Sequence, residues 1–253
     1  VAARTLELRE ALSRIQSFAA ELDRSCVPPT MRRLPRALLL QLRLADALRV
    51  SCNTAFAKLG VGLSERTLAD QASKFGFGSR PDSDISMATS KFPTKLNDAQ
   101  LALSSIGQYD VAASPLQMAM VAAGIANDGV LMEPYLTKSV RAANLQTVWT
   151  HKDTPMSTPM TRESAKQLQQ MMVSVVNNGT GRNARIDGVT VGGKTGTAQT
   201  SPDKPPYAWF VGWSDKPKVA VAVFVESSNT ERSEIAGGRL GAPIARDVIE
   251  ALR

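Results

Sequence analysis

The feature that most constrains the fold is Val219-Ala-Val-Ala-Val-Phe-Val225, seven residues without one polar side chain. Such a strand has no face to give to water, so it calls for cover on both sides of a sheet. Two further short β-rich runs come before it, Val189 to Ala198 and Ala208 to Trp213, divided by Pro- and Asp-containing turns. The cover is helical. Leu44, Ala47, Leu48 and Ser51 follow helical spacing, and Thr54 to Leu59 continues the apolar face toward Gly60, expected as a stop. A Ser64 cap opens a second helix that runs to Gly76, and a Ser/Asp/Pro-rich loop over 78–98 follows it. Ser114-Pro115 begins a small, apolar and therefore buried helix. Arg162 to Asn177 is amphipathic and ends at Asn178-Gly179, and Pro243 to Leu252 places Ile244, Val248, Ile249 and Leu252 on one side. The expected class is α+β, an antiparallel sheet covered by helices.

Composition divides the chain at about residue 44. All nine basic residues of the first fifty are Arg, whereas all eleven Lys lie at or beyond Lys58 and the first Gly is Gly60. Arg, Leu, Ala and Pro are what GC-rich codons yield out of frame, and Met31-Arg-Arg-Leu-Pro-Arg-Ala37 has no clear period. Residues 1–43 are therefore expected to be an atypical segment, frame-shifted or truncated, ahead of an incomplete domain over 44–253. The net charge of +7 does not signal nucleic acid. Nine Arg against five acids leave +4 in residues 1–50, so the other 203 residues carry only +3, with no basic stretch interleaved with aromatics. No apolar run approaches the ~18 residues of a membrane span, and Glu7 and Glu10 do not fit a signal peptide. Two cysteines and one histidine exclude a disulfide scaffold and leave no metal site or cofactor expected. His151 is expected at the surface.

Two short motifs carry chemistry. Lys194-Thr195-Gly196-Thr197 puts a cation and two hydroxyls inside a strand, and Gly196 removes a side chain where a backbone or ligand must come close. Ser51-Cys52-Asn53 sits between two helices, so that Ser51 and Asn53 can face one pocket, one handling a proton and the other holding an amide.

In this order and these contexts, the pair resembles the Ser-x-Asn and Lys-Thr-Gly elements of the penicillin-binding protein transpeptidase domain. Ser105-Ile-Gly-Gln108, Ser114-Pro-Leu-Gln117, Ala126-Asn-Asp-Gly-Val130, Val176-Asn-Asn-Gly-Thr-Gly181 and Pro206-Tyr-Ala-Trp-Phe-Val-Gly212 resemble it too. The resemblance spans roughly 44–253 and is strongest to the class B, penicillin-binding-protein-A group of actinobacteria, where the middle residue of Ser-x-Asn is likewise Cys. It implies a fold shared with serine β-lactamases and acyl transfer at a D-alanyl-D-alanine end, cross-linking peptidoglycan stem peptides, with β-lactams as donor mimics. It further implies that Ser51 relays a proton to the leaving group, Asn53 holds the substrate amide and Lys194 supports Ser51. Thr195 and Thr197 would hold the terminal carboxylate, with Gly196 between them and the Thr197 N–H as an oxyanion donor. The implied setting is the outer face of the cell membrane, with cell-division or elongation proteins as partners. No anchor helix is expected within these 253 residues.

The family's nucleophile motif, Ser-x-x-Lys, is expected before Ser51, but no Lys precedes Lys58. The sole match, Ser201-Pro-Asp-Lys204, lies in a Pro-rich turn unsuited to a helix start. The nucleophile is thus unassigned and no penicilloyl adduct is expected. A loss of this segment would also leave helix and sheet poorly covered. Two other readings stay open. A non-catalytic β-lactam or peptidoglycan-binding sensor would keep the threonines and discard the chemistry. A serine β-lactamase-like hydrolase would need a carboxylate near Pro93-Thr-Lys-Leu-Asn97, and none is there. Relatives of this group often carry a disulfide before Ser-x-Asn, so a Cys26–Cys52 bridge is one option, and Cys52 packed as a small apolar group is the other.

Overall fold

The computed structural model describes residues 44–81, 83–199 and 204–253. Cys26, and the expectations for residues 1–43, lie outside them. Helix α1 (44–50) runs into α2 (Asn53–Leu63) and α3 (Glu65–Lys74). The Ser64 hydroxyl caps α3 by accepting from the Thr67 N–H. After the 78–98 loop comes α4 (Asp98–Ser104), whose Asn97 and Gln100 form a reciprocal capping box. Helix α5 (Pro115–Ala126) is capped by Ser114. Four short strands follow: β1 (Leu131–Met132), β2 (Ser139–Arg141), β3 (Thr147–Thr150) and β4 (Pro155–Ser157), paired β1–β4 and β2–β3. Helix α6 (Arg162–Asn178) leads to β5 (Val191–Ala198), β6 (Tyr207–Asp215) and β7 (Lys218–Val225), and α7 (Ala242–Ala251) ends the fold.

Strands β5, β6 and β7 form an antiparallel sheet in that order. Phe210 and Trp213, three residues apart on β6, face opposite sides of it. Phe210 packs with Val223, Ala242, Ala245 and Ile249, which places α7 on one face. Trp213 packs with Ile125 and Met172, which places α5 and α6 on the other. Both rings cross β5 where Gly192 and Gly193 stand. A Cβ on either glycine would come within 2.4 Å of a ring carbon, so no larger residue fits there.

Four expectations change. The strand with the most buried residues is the central β6, whereas in β7 only Val223 is buried. An edge strand needs less cover than its composition suggests. On α7 the buried stripe is Ala242, Ala245 and Ile249, and Ile244, Val248 and Leu252 are exposed. His151 is half-buried rather than exposed, its ring stacked on Tyr135 with centroids 3.6 Å apart. Gly60 does not stop α2, which continues three residues beyond it. Gly60 is buried against α4, and a Cβ there would lie 1.7 Å from Ser105 Oγ.

Gly60→Ala tests that last point. Alanine at an exposed helix position gains about 1 kcal/mol over glycine, but here the overpacking is expected to reverse the sign and destabilise by roughly 1–3 kcal/mol. Urea unfolding midpoints of the two proteins measure it.

Candidate active site

Helix α1 ends in a Schellman arrangement. The Ser51 N–H donates to Leu48 O at 3.2 Å and the Cys52 N–H to Ala47 O at 2.8 Å. This requires a left-handed residue at Ser51, whose φ is 55°. Glycine is the usual occupant, and a serine there carries a backbone cost of about 1–2 kcal/mol. In return its Oγ meets β5: Lys194 Nζ donates to Ser51 Oγ across 143 residues of sequence. Cys52 packs as an apolar group beside Ala47, Ala55 and Phe56.

Lys194 Nζ also donates to Thr195 O at 2.7 Å. Burial pulls its ammonium down from 10.5 to about 8, since taking the charge out of water favours the neutral amine. Between about pH 8 and 10.5 the unfolded chain holds this proton more often than the folded one. Lys194 therefore makes stability rise with pH across that window, and its penalty is fully present below it.

A second segment ties α1 to the same strand. After α6, the Thr180 N–H donates to Arg49 O at 3.2 Å, and Thr180 Oγ1 lies 2.7 Å from Thr195 Oγ1 in a hydroxyl–hydroxyl hydrogen bond. Gln108 braces the far end of β5: its Nε2 donates to Thr197 O at 3.1 Å, and its Oε1 accepts from Gln199 N at 3.1 Å. The close approach expected at Gly196 is made by another backbone. A Cβ on Gly237 would lie 2.6 Å from Gly196 O.

Together these segments line an open cleft of about 580 Å³ that contains Ser51, Asn53, Lys194, Thr195, Gly196 and Thr197. All six residues singled out from the motifs thus share one site. Thr180 and Gln108 join them. Both lie in stretches that carry the family resemblance, yet hydroxyls and amides in loops give no sequence signal of their own. Lys194, Arg182 and Arg239 line the walls, with no carboxylate there among the described residues, although Arg239 pairs with Glu234. Near Pro93–Asn97 a carboxylate does appear, from Glu65, but it accepts the Lys95 and Leu96 N–H groups at 2.7 Å each. Those bonds hold it below the usual carboxylate range, and it is not part of the cleft. Among the described residues no group of His, Cys, Asp and Glu could hold a metal. Ser201 lies outside the described residues.

This geometry can accept an anion on hydroxyls and move a proton between Ser51 and Lys194. The family model for the penicillin binding protein transpeptidase domain matches residues 37–250. Peptidoglycan D,D-transpeptidase PbpA of Mycolicibacterium smegmatis is 39% identical over 214 residues, 82% of this chain and 43% of that protein. The Mycobacterium tuberculosis PbpA is 38% identical over the same length. A solved ceftriaxone acyl-enzyme complex of penicillin-binding protein A from M. tuberculosis superposes with a TM-score of 0.76 at 37% identity. It covers 82% of this chain and 48% of that one. The chain thus spans less than half the length of the curated PbpA relatives it matches.

The left-handed serine can be tested by two substitutions that remove the same hydroxyl. Ser51→Gly and Ser51→Ala both deprive Lys194 of an acceptor, but only alanine keeps the φ cost. Ser51→Gly is expected to be the more stable by about 1 kcal/mol in denaturant unfolding.

Proposed function

Because this chain belongs to the penicillin-binding protein transpeptidase family, we propose that its cleft is the acyl-donor site of a peptidoglycan D,D-transpeptidase. The hydrogen bond from Lys194 to Ser51 carries the reading, since it joins the two motifs into one proton-handling pair. In the transferase reaction an acyl-enzyme forms at the penultimate D-alanine carbonyl, D-alanine leaves, and a neighbouring stem-peptide amine takes the acyl group. Thr195 and Thr197 hold the donor's terminal carboxylate, and Asn53 holds its amide. Ser51 passes the nucleophile's proton to the departing amine, and Lys194 keeps Ser51 oriented and stabilises the charge that develops. The Thr197 N–H is one oxyanion donor. β-Lactams enter as mimics of the same donor, as they do in the acyl-enzyme complexes of the M. tuberculosis protein. The protein works at the outer face of the cell membrane beside cell-division or elongation proteins. Among the described residues no helix is long and apolar enough to cross a membrane.

The chain as written does not acylate. With no Lys before Lys58, residues 1–50 cannot contain Ser-x-x-Lys, and the Arg-rich, Gly-free composition of residues 1–43 fits an out-of-frame reading of the segment that holds it. A second reading is a domain that binds D-Ala-D-Ala ends or β-lactams without reacting, for which the threonines of β5 supply the carboxylate site. A hydrolase is disfavoured because, among the described residues, the cleft wall has no carboxylate to activate water.

Intact mass after incubation with benzylpenicillin separates these readings. The chain as written is expected to gain no mass while folded, and resequencing the coding DNA is expected to restore Ser-x-x-Lys and, once expressed, a one-to-one penicilloyl adduct. An unchanged DNA reading overturns the out-of-frame account of residues 1–43. A stoichiometric adduct on the present chain overturns the account of its N-terminal segment.

A further inference from the structure

Six of the eleven described arginines pair with a carboxylate, Arg66 with Asp70 among them. Arg49 lies on Asp46, Arg162 on Asp128, Arg185 on Asp187, Arg239 on Glu234 and Arg246 on Asp247. Arg182 lines the cleft and has neither an ion pair nor a side-chain hydrogen bond to any described residue. Its backbone, in contrast, is firmly placed. It opens a single 3-10 turn (Arg182–Ala184) whose Ala184 is fully buried. The Ala184 N–H donates to Gly181 O at 2.9 Å, and Asn183 Nδ2 donates to Gly238 O on the adjoining wall at 2.8 Å. A guanidinium is thus presented to a concave wall from a rigid base, with all its donors available.

The other two cations of the cleft are already engaged, Lys194 with Ser51 and Thr195 O, and Arg239 with Glu234. Arg239 is offset by Glu234, so the positive field of the cleft comes from Lys194 and Arg182, and concave low-dielectric walls focus it on an entering ligand. The threonine hydroxyls of β5 account for one anionic group of the donor. They leave Arg182 unmatched, and a planar fork of N–H donors is the group best shaped for a second carboxylate.

Resting on the proposed donor site, we infer that the cleft selects acyl donors with two anionic groups: the terminal carboxylate on Thr195 and Thr197, and a second carboxylate, further along the peptide, on Arg182. Donors in which that second group is a neutral amide or is missing bind more weakly. Arg182 is a specificity residue and takes no part in the proton transfers.

The probes are N-succinyl-L-Ala-D-Ala-D-Ala, which carries the second carboxylate, and N-acetyl-L-Ala-D-Ala-D-Ala, which lacks it. Dissociation constants come from NMR titration of the chain as it stands, which requires no nucleophile. The succinyl peptide is expected to bind about fivefold more tightly at low salt, near the ceiling for an exposed ion pair, with the difference shrinking as salt rises. Arg182→Gln should weaken the succinyl peptide more than the acetyl peptide and so remove the preference, and Arg182→Lys should keep part of it. Since Arg182 is exposed and unpartnered, neither substitution should disturb the fold. Equal binding of the two peptides to the unaltered chain, or a preference that survives Arg182→Gln, overturns the inference and leaves the donor site standing. Binding of neither peptide overturns the donor-site reading and this inference with it.

Discussion

An ammonium held away from water needs oxygen atoms around it, and Lys194 finds two: the Ser51 hydroxyl and the Thr195 carbonyl. Neither is a full negative charge, so desolvation is not repaid by an ion pair and the amine gives up its proton more readily than an exposed lysine would. Much of the site follows from this one arrangement. Strand β5 must bring the amine to the end of α1, and α1 must end abruptly enough to turn a hydroxyl toward it. The Schellman ending does so with a left-handed residue, and the position normally given to glycine goes to serine. The hydroxyl is gained at the expense of local backbone comfort, a trade common where a side chain has chemistry to do.

The rest of the fold keeps that contact in register. Gly192 and Gly193 let the Phe210 and Trp213 rings lie across β5 from opposite sides, so the strand is clamped just before Lys194. Thr180 spans from the Arg49 carbonyl to the Thr195 hydroxyl, linking the same two elements a second time. Gln108 fixes the strand's far end through Thr197 and Gln199. Preorganisation of this kind means that donors facing the cleft need not move when charge develops there.

How much of this is legible in sequence depends on the kind of signal. The sheet and most helices are, because Val219–Val225, the Ser64 and Ser114 caps and the Arg162–Asn177 periodicity are local patterns. The motif residues are as well, because a lysine and two threonines inside a strand are unusual. Gly60 misleads, since a glycine that ends a helix and one that admits a neighbouring helix look alike until α4 is in place. The apolar residues of α7 mislead for a related reason: Ala242 and Ala245 pack close because they are small, and bulkier Ile244 and Val248 are left outside. Thr180 and Gln108 act through hydrogen bonds to residues between 15 and 131 positions away, and no periodicity encodes that. His151 misleads as well, since a polar stretch in sequence does not show that its ring stacks on Tyr135, 16 positions away.

The central claim is that Lys194 is a desolvated amine committed to Ser51. It is tested most directly by the pH titration of the lysine side-chain NMR signals, with Lys194 assigned by substitution. The account predicts a midpoint near 8 for Lys194, moving lower still in Ser51→Ala, where the charged form loses an acceptor. A midpoint at the ordinary 10.5, or one indifferent to Ser51, would contradict it.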